Sequence, residues 1–187
     1  MAGFMQVLVF QTRQMMAKTS SLKVAEYIKK VAKLKPNVRI VFASAPSQTE
    51  FLEELTRIDG IPWSKVIAFH MDDYIGLPAE APQRFSNWLE KHLFSKVPLG
   101  QVHYIPANGS ADYICSDYSE QLSKGPIDIV CLGIGVNGHL AFNDPPVADF
   151  NDPSSMRIVE LDDICRQQQV DDKCFGTISQ VPKHAVT

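Results

Sequence analysis

Ile127-Asp128-Ile129-Val130-Cys131-Leu132-Gly133-Ile134-Gly135-Val136-Asn137-Gly138-His139-Leu140-Ala141-Phe142-Asn143-Asp144-Pro145 passes from an apolar run into a polar loop rich in glycine. The run from Ile127 to Leu132 reads as a buried strand. Glycine lets the backbone behind it turn sharply and approach a ligand closely. His139, Asn137 and Asp144 then fall at the carboxyl end of that strand, where open α/β sheets bind ligands. The stretch has the pattern of an active-site loop in an α/β protein.

Gly133, Gly135 and Gly138 satisfy G-x-G-x-x-G, yet a dinucleotide site is not the reading. That fingerprint needs a helix opening directly after the last glycine. Pro145 and Pro146 follow too soon for one, because proline inside a helix removes a donor and clashes with the preceding turn. The match also lies late in the chain rather than opening a βαβ unit.

The elements outward of this loop alternate. Met5 to Phe10 reads as a first strand. Ser20 and Ser21 offer N-caps for a helix carrying Val24, Ala25, Ile28, Val31 and Ala32 at helical spacing, which Pro36 ends. Val38 to Ala43 is a second strand, and Ser47-Gln48-Thr49-Glu50 matches a capping box ahead of Phe51, Leu52, Leu55 and Ile58. Val66 to Phe69 is a third strand, opening into Asp72-Asp73-Tyr74. Arg84 to Phe94 reads as a helix with Phe85, Trp88, Leu89 and Leu93 inward. Val102 to Ile105 is a short strand, Ala111 to Leu122 a helix, and Met156 to Leu161 a further strand. Strands alternating with helices predict one α/β domain over residues 1–187, with a doubly wound, mostly parallel sheet covered on both faces. Gln180 to Thr187 reads as the approach to another strand, so a further stretch of the natural protein is expected after it.

Composition narrows the function classes. A net charge of −3 over 187 residues gives no reason to expect nucleic acid or an anionic membrane as partner. No run approaches the roughly 20 apolar residues of a membrane span. Met1 to Met5 lacks the basic start and apolar core of a secretory signal. Cys115, Cys131, Cys165 and Cys174 are unevenly spaced with no C-x-x-C pair, as expected of reduced thiols in a cytoplasmic protein. The histidines form no H-x-x-x-H pair, and no metal or cofactor is implied.

Three segments are candidates for chemistry. Ala43 to Thr49 passes from a strand through a turn into a helix start, a place that favours an anion such as phosphate; plain helix capping by Ser47 is the alternative. His70 to Pro78 carries two adjacent carboxylates. One facing a dry pocket would have a raised pKa and suit a general base, while the other reading is a capping acid beside a solvated one. In the third, His139 could move protons near neutral pH, oriented by Asn137 or Asp144.

Met71-Asp72-Asp73-Tyr74-Ile75-Gly76-Leu77-Pro78 and Gly133 through Pro145, supported by Gln180 through Thr187, resemble the glucosamine-6-phosphate deaminase/isomerase family along essentially the whole chain. The resemblance implies the doubly wound fold of the ribose-5-phosphate isomerase and CoA-transferase type. It implies deamination of an amino-sugar 6-phosphate, glucosamine or galactosamine, to a ketose 6-phosphate and ammonia without a metal. By position Asp72 would shuttle a proton between C2 and C1, and His139 would open the pyranose ring with Asn137 and Asp144 orienting it. Ser44, Ala45, Ser47, Gln48, Asp73, Gly135, Gly138 and Lys173 are the expected substrate- and phosphate-binding set, with Arg166 as an alternative to Lys173. The chain departs from the best-known members in having Asn137 in place of an acid, Asp144 in place of glutamate, and Ser44-Ala45-Pro46-Ser47 in place of a glycine-rich turn. Family members are often oligomers, so self-association is among the expectations. A 6-phosphogluconolactonase, in which the loop histidine serves lactone hydrolysis, and a non-catalytic sugar-phosphate sensor are the competing expectations.

Overall fold

A computed structural model describes residues 5–187. Its centre is a four-stranded parallel sheet built from β1 (Val38–Phe42), β2 (Val66–His70), β4 (Gln101–Val102) and β5 (Ile129–Cys131), in the order β4-β2-β1-β5. A second, antiparallel sheet has the order β3-β7-β6, from β3 (Asp73–Tyr74), β6 (Ile158–Glu160) and β7 (His184–Val186). The mostly parallel α/β class expected from the sequence is the one found.

β1 shows why both faces of the parallel sheet must be covered. All five residues are buried, and successive side chains point to opposite faces. Val38, Ile40 and Phe42 join one core with Ala25 and Ile28 of α1 (Arg13–Leu34), Leu52 and Leu55 of α2 (Thr49–Thr56) and Leu89 of α3 (Phe85–His92). Val41 joins another with Phe69, with Ile114 and Tyr118 of α4 (Ala111–Ser123), and with Val186 of the second sheet. Each fully buried Leu, Ile or Phe among them stabilises the fold by roughly 1.5–3 kcal/mol. A third cluster, with Tyr74, Phe142, Val159 and Cys165, packs the second sheet against α5 (Asp163–Asp171).

The order β4-β2-β1-β5 places the site. The chain adds β2 and β4 on one side of β1, then returns to add β5 on the other. β1 and β5 therefore flank a topological switch point, and a crevice opens outside their carboxyl ends.

Several local expectations are corrected. Residues 5–10 form no strand: Met5, Val7 and Val9 are 88%, 73% and 91% exposed, and no neighbour gives them a ladder. α1 begins at Arg13, before Ser20 and Ser21, because the Thr12 hydroxyl accepts from the Met15 N–H at 3.2 Å. Ser20 and Ser21 instead donate back to the carbonyls of Met16 and Lys18 within the helix. The Ser47–Glu50 capping box does not form, since Glu50 pairs with Arg13 at 2.6 Å and Pro46–Gln48 is a single 3-10 turn without a side-chain cap. The predicted strand 127–132 narrows to β5 at the sheet edge, where Val130 is half-exposed instead of buried. α5 was not anticipated; Asp162 caps it by accepting from the Cys165 N–H at 2.6 Å. The stretch read as the approach to a new strand contains β7, which pairs with both β3 and β6.

Candidate active site

A cavity of about 460 Å³ opens at the carboxyl ends of β1, β2 and β5, walled on the far side by the end of α5. It gathers the three candidate segments. Ser44, Ala45 and Ser47 reach it from the turn after β1, Asp72 from the turn after β2, and Gly135 and His139 from the loop after β5.

Asp72 and Asp73 are neighbours with separate environments. Asp72 lines the cavity and is 5% exposed. Burial, and then the charge of Asp73, push its carboxyl well above the ordinary aspartate range. Asp73, expected in the substrate-binding set, does not line the cavity. It is fully buried, paired with Arg84 at 2.9 Å, and accepts from the Ser86 hydroxyl and the Phe85 N–H, both at 3.0 Å. Its carboxylate thus satisfies the free amides at the start of α3, a structural task. Pairing of Asp73 with Val186, and of Tyr74 with Ala185, fixes this stretch on β7.

His139 is set by its own loop. The Gly138 N–H donates to Gly135 O at 3.0 Å, the Gly135 N–H donates to His139 O at 2.9 Å, and Gly138 takes the left-handed φ of +89° that the turn needs. His139 Nδ1 lies 2.6 Å from Asn137 Oδ1 and 3.0 Å from Asp144 Oδ1. The Asn137 amide donates to that same Asp144 oxygen at 2.8 Å. An amide nitrogen turned to a carboxylate leaves its oxygen for the ring, so Nδ1 carries a hydrogen, and in the neutral ring the lone pair is on Nε2. Asn137 and Asp144 stand behind the imidazole and do not line the cavity; they orient the ring. Asp144 is 2% exposed, and its Oδ2 has no hydrogen-bond partner among the described residues.

The remaining expected residues divide. Ser44, Ala45, Ser47, Gly135 and Lys173 line the cavity. Gln48 is buried beside the turn, near Ser47 Oγ at 3.5 Å, and Gly138 shapes the loop from outside. Between the two cations weighed for phosphate, Lys173 is the one at the cavity. Arg166 spends its guanidinium on the carbonyls of Ile178 and Val181 at 2.8 and 3.2 Å and on Asp163. Lys173 sits just past α5 with φ +60°, where its N–H returns to Val170 O and that of Cys174 to Gln169 O, an arrangement usually closed by glycine.

Sequence reasoning missed part of the wall. Phe85 and Trp88, read as core positions of a helix, face the cavity, and Phe85 stacks on Phe142 with ring centroids 5.4 Å apart. Gln168, Gln169 and Asp172 come from the unanticipated α5. The only signal for that helix was an aspartate in capping position ahead of a polar run.

The sequence profile of the family "Glucosamine-6-phosphate isomerases/6-phosphogluconolactonase" matches residues 11–146. A glucosamine-6-phosphate deaminase from Giardia intestinalis is 39% identical over 134 residues, 67% of this chain and 50% of that protein. One from Bacillus cereus is 32% identical over 98% of this chain and 66% of its own length. The chain thus spans from half to just under two thirds of the length of these relatives. Among solved structures, a monomeric glucosamine-6-phosphate deaminase superposes with a TM-score of 0.86 at 24% identity, covering 98% of this chain and 75% of that one. The 6-phosphogluconolactonase of Trypanosoma brucei gives 0.74 at 18% identity, over 96% and 74%. Both likenesses concern the fold. With the profile covering both the Asp72 turn and the His139 loop, the chain belongs to the glucosamine-6-phosphate isomerase/6-phosphogluconolactonase family.

Proposed function

We propose that this chain carries the catalytic cavity of an enzyme that isomerises and deaminates an amino-sugar 6-phosphate, glucosamine or galactosamine 6-phosphate, to a ketose 6-phosphate and ammonia. The observation that carries the reading is that Asp72 and His139 line one cavity, with His139 Nδ1 held from behind. His139 Nε2 takes the proton of the anomeric hydroxyl and returns it to the ring oxygen as the C1–O5 bond breaks, the task of an imidazole near neutral pH. Asp72, as carboxylate, removes the proton at C2, next to the aldehyde, and delivers it to C1. A raised pKa makes it a stronger base and a better-matched donor for that round trip. The resulting C2 imine takes up water to give a carbinolamine, whose nitrogen gains a proton and leaves as ammonia while the C2 hydroxyl loses one to become the ketone.

The phosphate would lie between the amides of the 44–47 turn, the hydroxyls of Ser44 and Ser47, and the ammonium of Lys173. The stacked Phe85 and Phe142 give the sugar an apolar floor. Cytoplasmic residence and self-association belong to the same reading. No described helix is long and apolar enough to cross a membrane.

Ammonia release from glucosamine 6-phosphate and galactosamine 6-phosphate tests the proposal, with 6-phosphogluconolactone as the comparison substrate. Release from an amino sugar supports it. Hydrolysis of the lactone alone assigns the cavity to the lactonase branch. Tight binding of sugar phosphates with no product assigns it to a sensor.

A further inference from the structure

His70 is the last residue of β2 and is 1% exposed. Every polar group it has is committed. Its ring Nε2 accepts from the Ile105 N–H at 2.9 Å. A backbone N–H can only donate, so Nε2 is the unprotonated nitrogen and Nδ1 carries the hydrogen. Nδ1 lies 3.0 Å from the carbonyl oxygen of Asp72, to which it donates. The His70 N–H donates to Tyr118 Oη at 2.9 Å, and the Tyr118 hydroxyl donates back to the His70 carbonyl at 2.8 Å. β4 stops pairing with β2 at Val102, and the Tyr118 hydroxyl takes the place of the missing ladder.

We propose that His70 is a positioning residue for Asp72: its ring ties the Asp72 carbonyl to the end of β2 and so aims the Asp72 carboxyl into the cavity. The inference rests on the catalytic reading of Asp72 given above. The turn between β2 and β3 holds only Met71 and Asp72. Its far end is pinned by Asp73 on Arg84 and by the β3–β7 pairing. Without a bond at its near end, the Asp72 peptide is free to rotate, and the carboxyl rotates with it. A base that serves two adjacent carbons must stay within hydrogen-bond reach of both. The ring suits the task because it does not change charge: burial holds its pKa below the ordinary value, against the charge of Asp73, with Arg84 adding to the depression.

A histidine that merely fills the core would hold β2 to Ile105 and no more. Two substitutions separate the roles. The side-chain amide of His70→Asn overlays Nδ1 and keeps a donor for Asp72 while losing Ile105. In His70→Gln the amide oxygen reaches the Nε2 position and keeps Ile105 while losing Asp72. In the chain as it exists, His70→Asn is expected to keep kcat for the amino-sugar phosphate within about threefold. His70→Gln is expected to lose about 100-fold in kcat, the usual consequence of a misplacement near 1 Å, with KM little changed. The same variants have a readout that needs no turnover. The ¹³C titration of the Asp72 carboxyl, assigned by its disappearance in Asp72→Asn, stays raised in the wild type and His70→Asn and falls toward the ordinary value in His70→Gln.

Equal losses in both variants, or an unchanged Asp72 midpoint in His70→Gln, would overturn the proposal. So would wild-type imidazole ¹⁵N shifts showing the hydrogen on Nε2, a measurement that stands even if neither variant folds. A wild type that releases no ammonia while its Asp72 midpoint still responds to His70→Gln sinks the deaminase reading and leaves the positioning role intact.

Discussion

The imidazole of His139 fills the space that a side chain at Gly135 would need. A Cβ built on Gly135 lies 2.1 Å from Cε1, 2.2 Å from Nε2 and 2.4 Å from Nδ1 of the ring, well inside van der Waals contact. Gly135→Ala is therefore expected to evict His139 from Asn137 and Asp144 and to lower kcat/KM by about 100-fold or more, the range for a lost general base. Gly138→Ala is the control. Nothing lies within 4 Å of its Cβ position, so its cost is the left-handed φ of +89°, about 1–2 kcal/mol of stability. Steady-state kinetics beside thermal unfolding distinguish the two; equal activity in both variants would refute the packing argument.

Asp72 is expected to trade stability for activity. Its base form is the carboxylate, so kcat/KM rises with pH through a value above the ordinary aspartate range, displaced by burial and by Asp73. Asp72→Asn should abolish isotope exchange at C2 while binding of the sugar phosphate survives. The stability sign follows from the same shift. A carboxyl whose folded pKa exceeds its unfolded one favours the folded state fully below the unfolded value, and that contribution is lost as pH rises toward the folded value. Asparagine does not ionise, so the variant should be more stable at pH 7, on the order of 1 kcal/mol, with the gap closing near pH 4. Thermal unfolding at the two pH values checks this, and a less stable variant at pH 7 would refute it.

Asp73 and Arg84 predict the opposite pattern. Both are buried, and Arg84 Nη1 has no hydrogen-bond partner among the described residues. Arg84→Met leaves Asp73 charged and unpaired in the core, which costs about 3–5 kcal/mol. Denaturant unfolding should show that loss. A drop below about 1 kcal/mol would mean that solvent reaches the pair.

The contrast between these neighbouring acids shows where sequence reading stops. Asp72-Asp73 announces a base after a strand, but which carboxyl faces the cavity depends on Arg84, eleven positions on, and on pairing with β7 near the other end of the described chain. The core helices and parallel strands were legible because their apolar residues recur with the period of each element. Residues 5–10 have the apolar, β-branched run of a strand, yet such a run does not supply a neighbouring edge to pair with. α5 escaped because its sequence, Asp163 to Asp171, is largely polar and shows little apolar periodicity. The wall beside Lys173, with Gln168, Gln169 and Asp172, lies on that same polar stretch.

Asn137 lets the charge behind His139 be tested. Its amide nitrogen lies 2.8 Å from Asp144 Oδ1, so Asn137→Asp sets two carboxylates against each other beside the ring. The added negative charge favours the imidazolium. Because the base must be neutral, the part of the acid limb due to His139 should move to higher pH than in the wild type. Asn137→Leu removes the ring's acceptor instead and should lower kcat by about 10–100-fold without that displacement. Matching pH profiles for wild type and Asn137→Asp would show that this side chain does not set the imidazole's charge state.

Lys173 joins a local strain to a specific task. It closes α5 with a left-handed φ of +60° at a position where glycine costs nothing, and it lines the cavity. Strain of this kind persists where the side chain is needed. Lys173→Gly should therefore stabilise the fold by about 1 kcal/mol while raising KM for a sugar phosphate about tenfold, the equivalent of one charge-assisted contact of about 1.4 kcal/mol. The loss should vanish with the unphosphorylated amino sugar, since only the phosphate meets the ammonium. The pair of substrates makes the test specific: an equal effect on both would place Lys173 against the sugar ring, and no effect on either would leave the strained lysine without a role in binding.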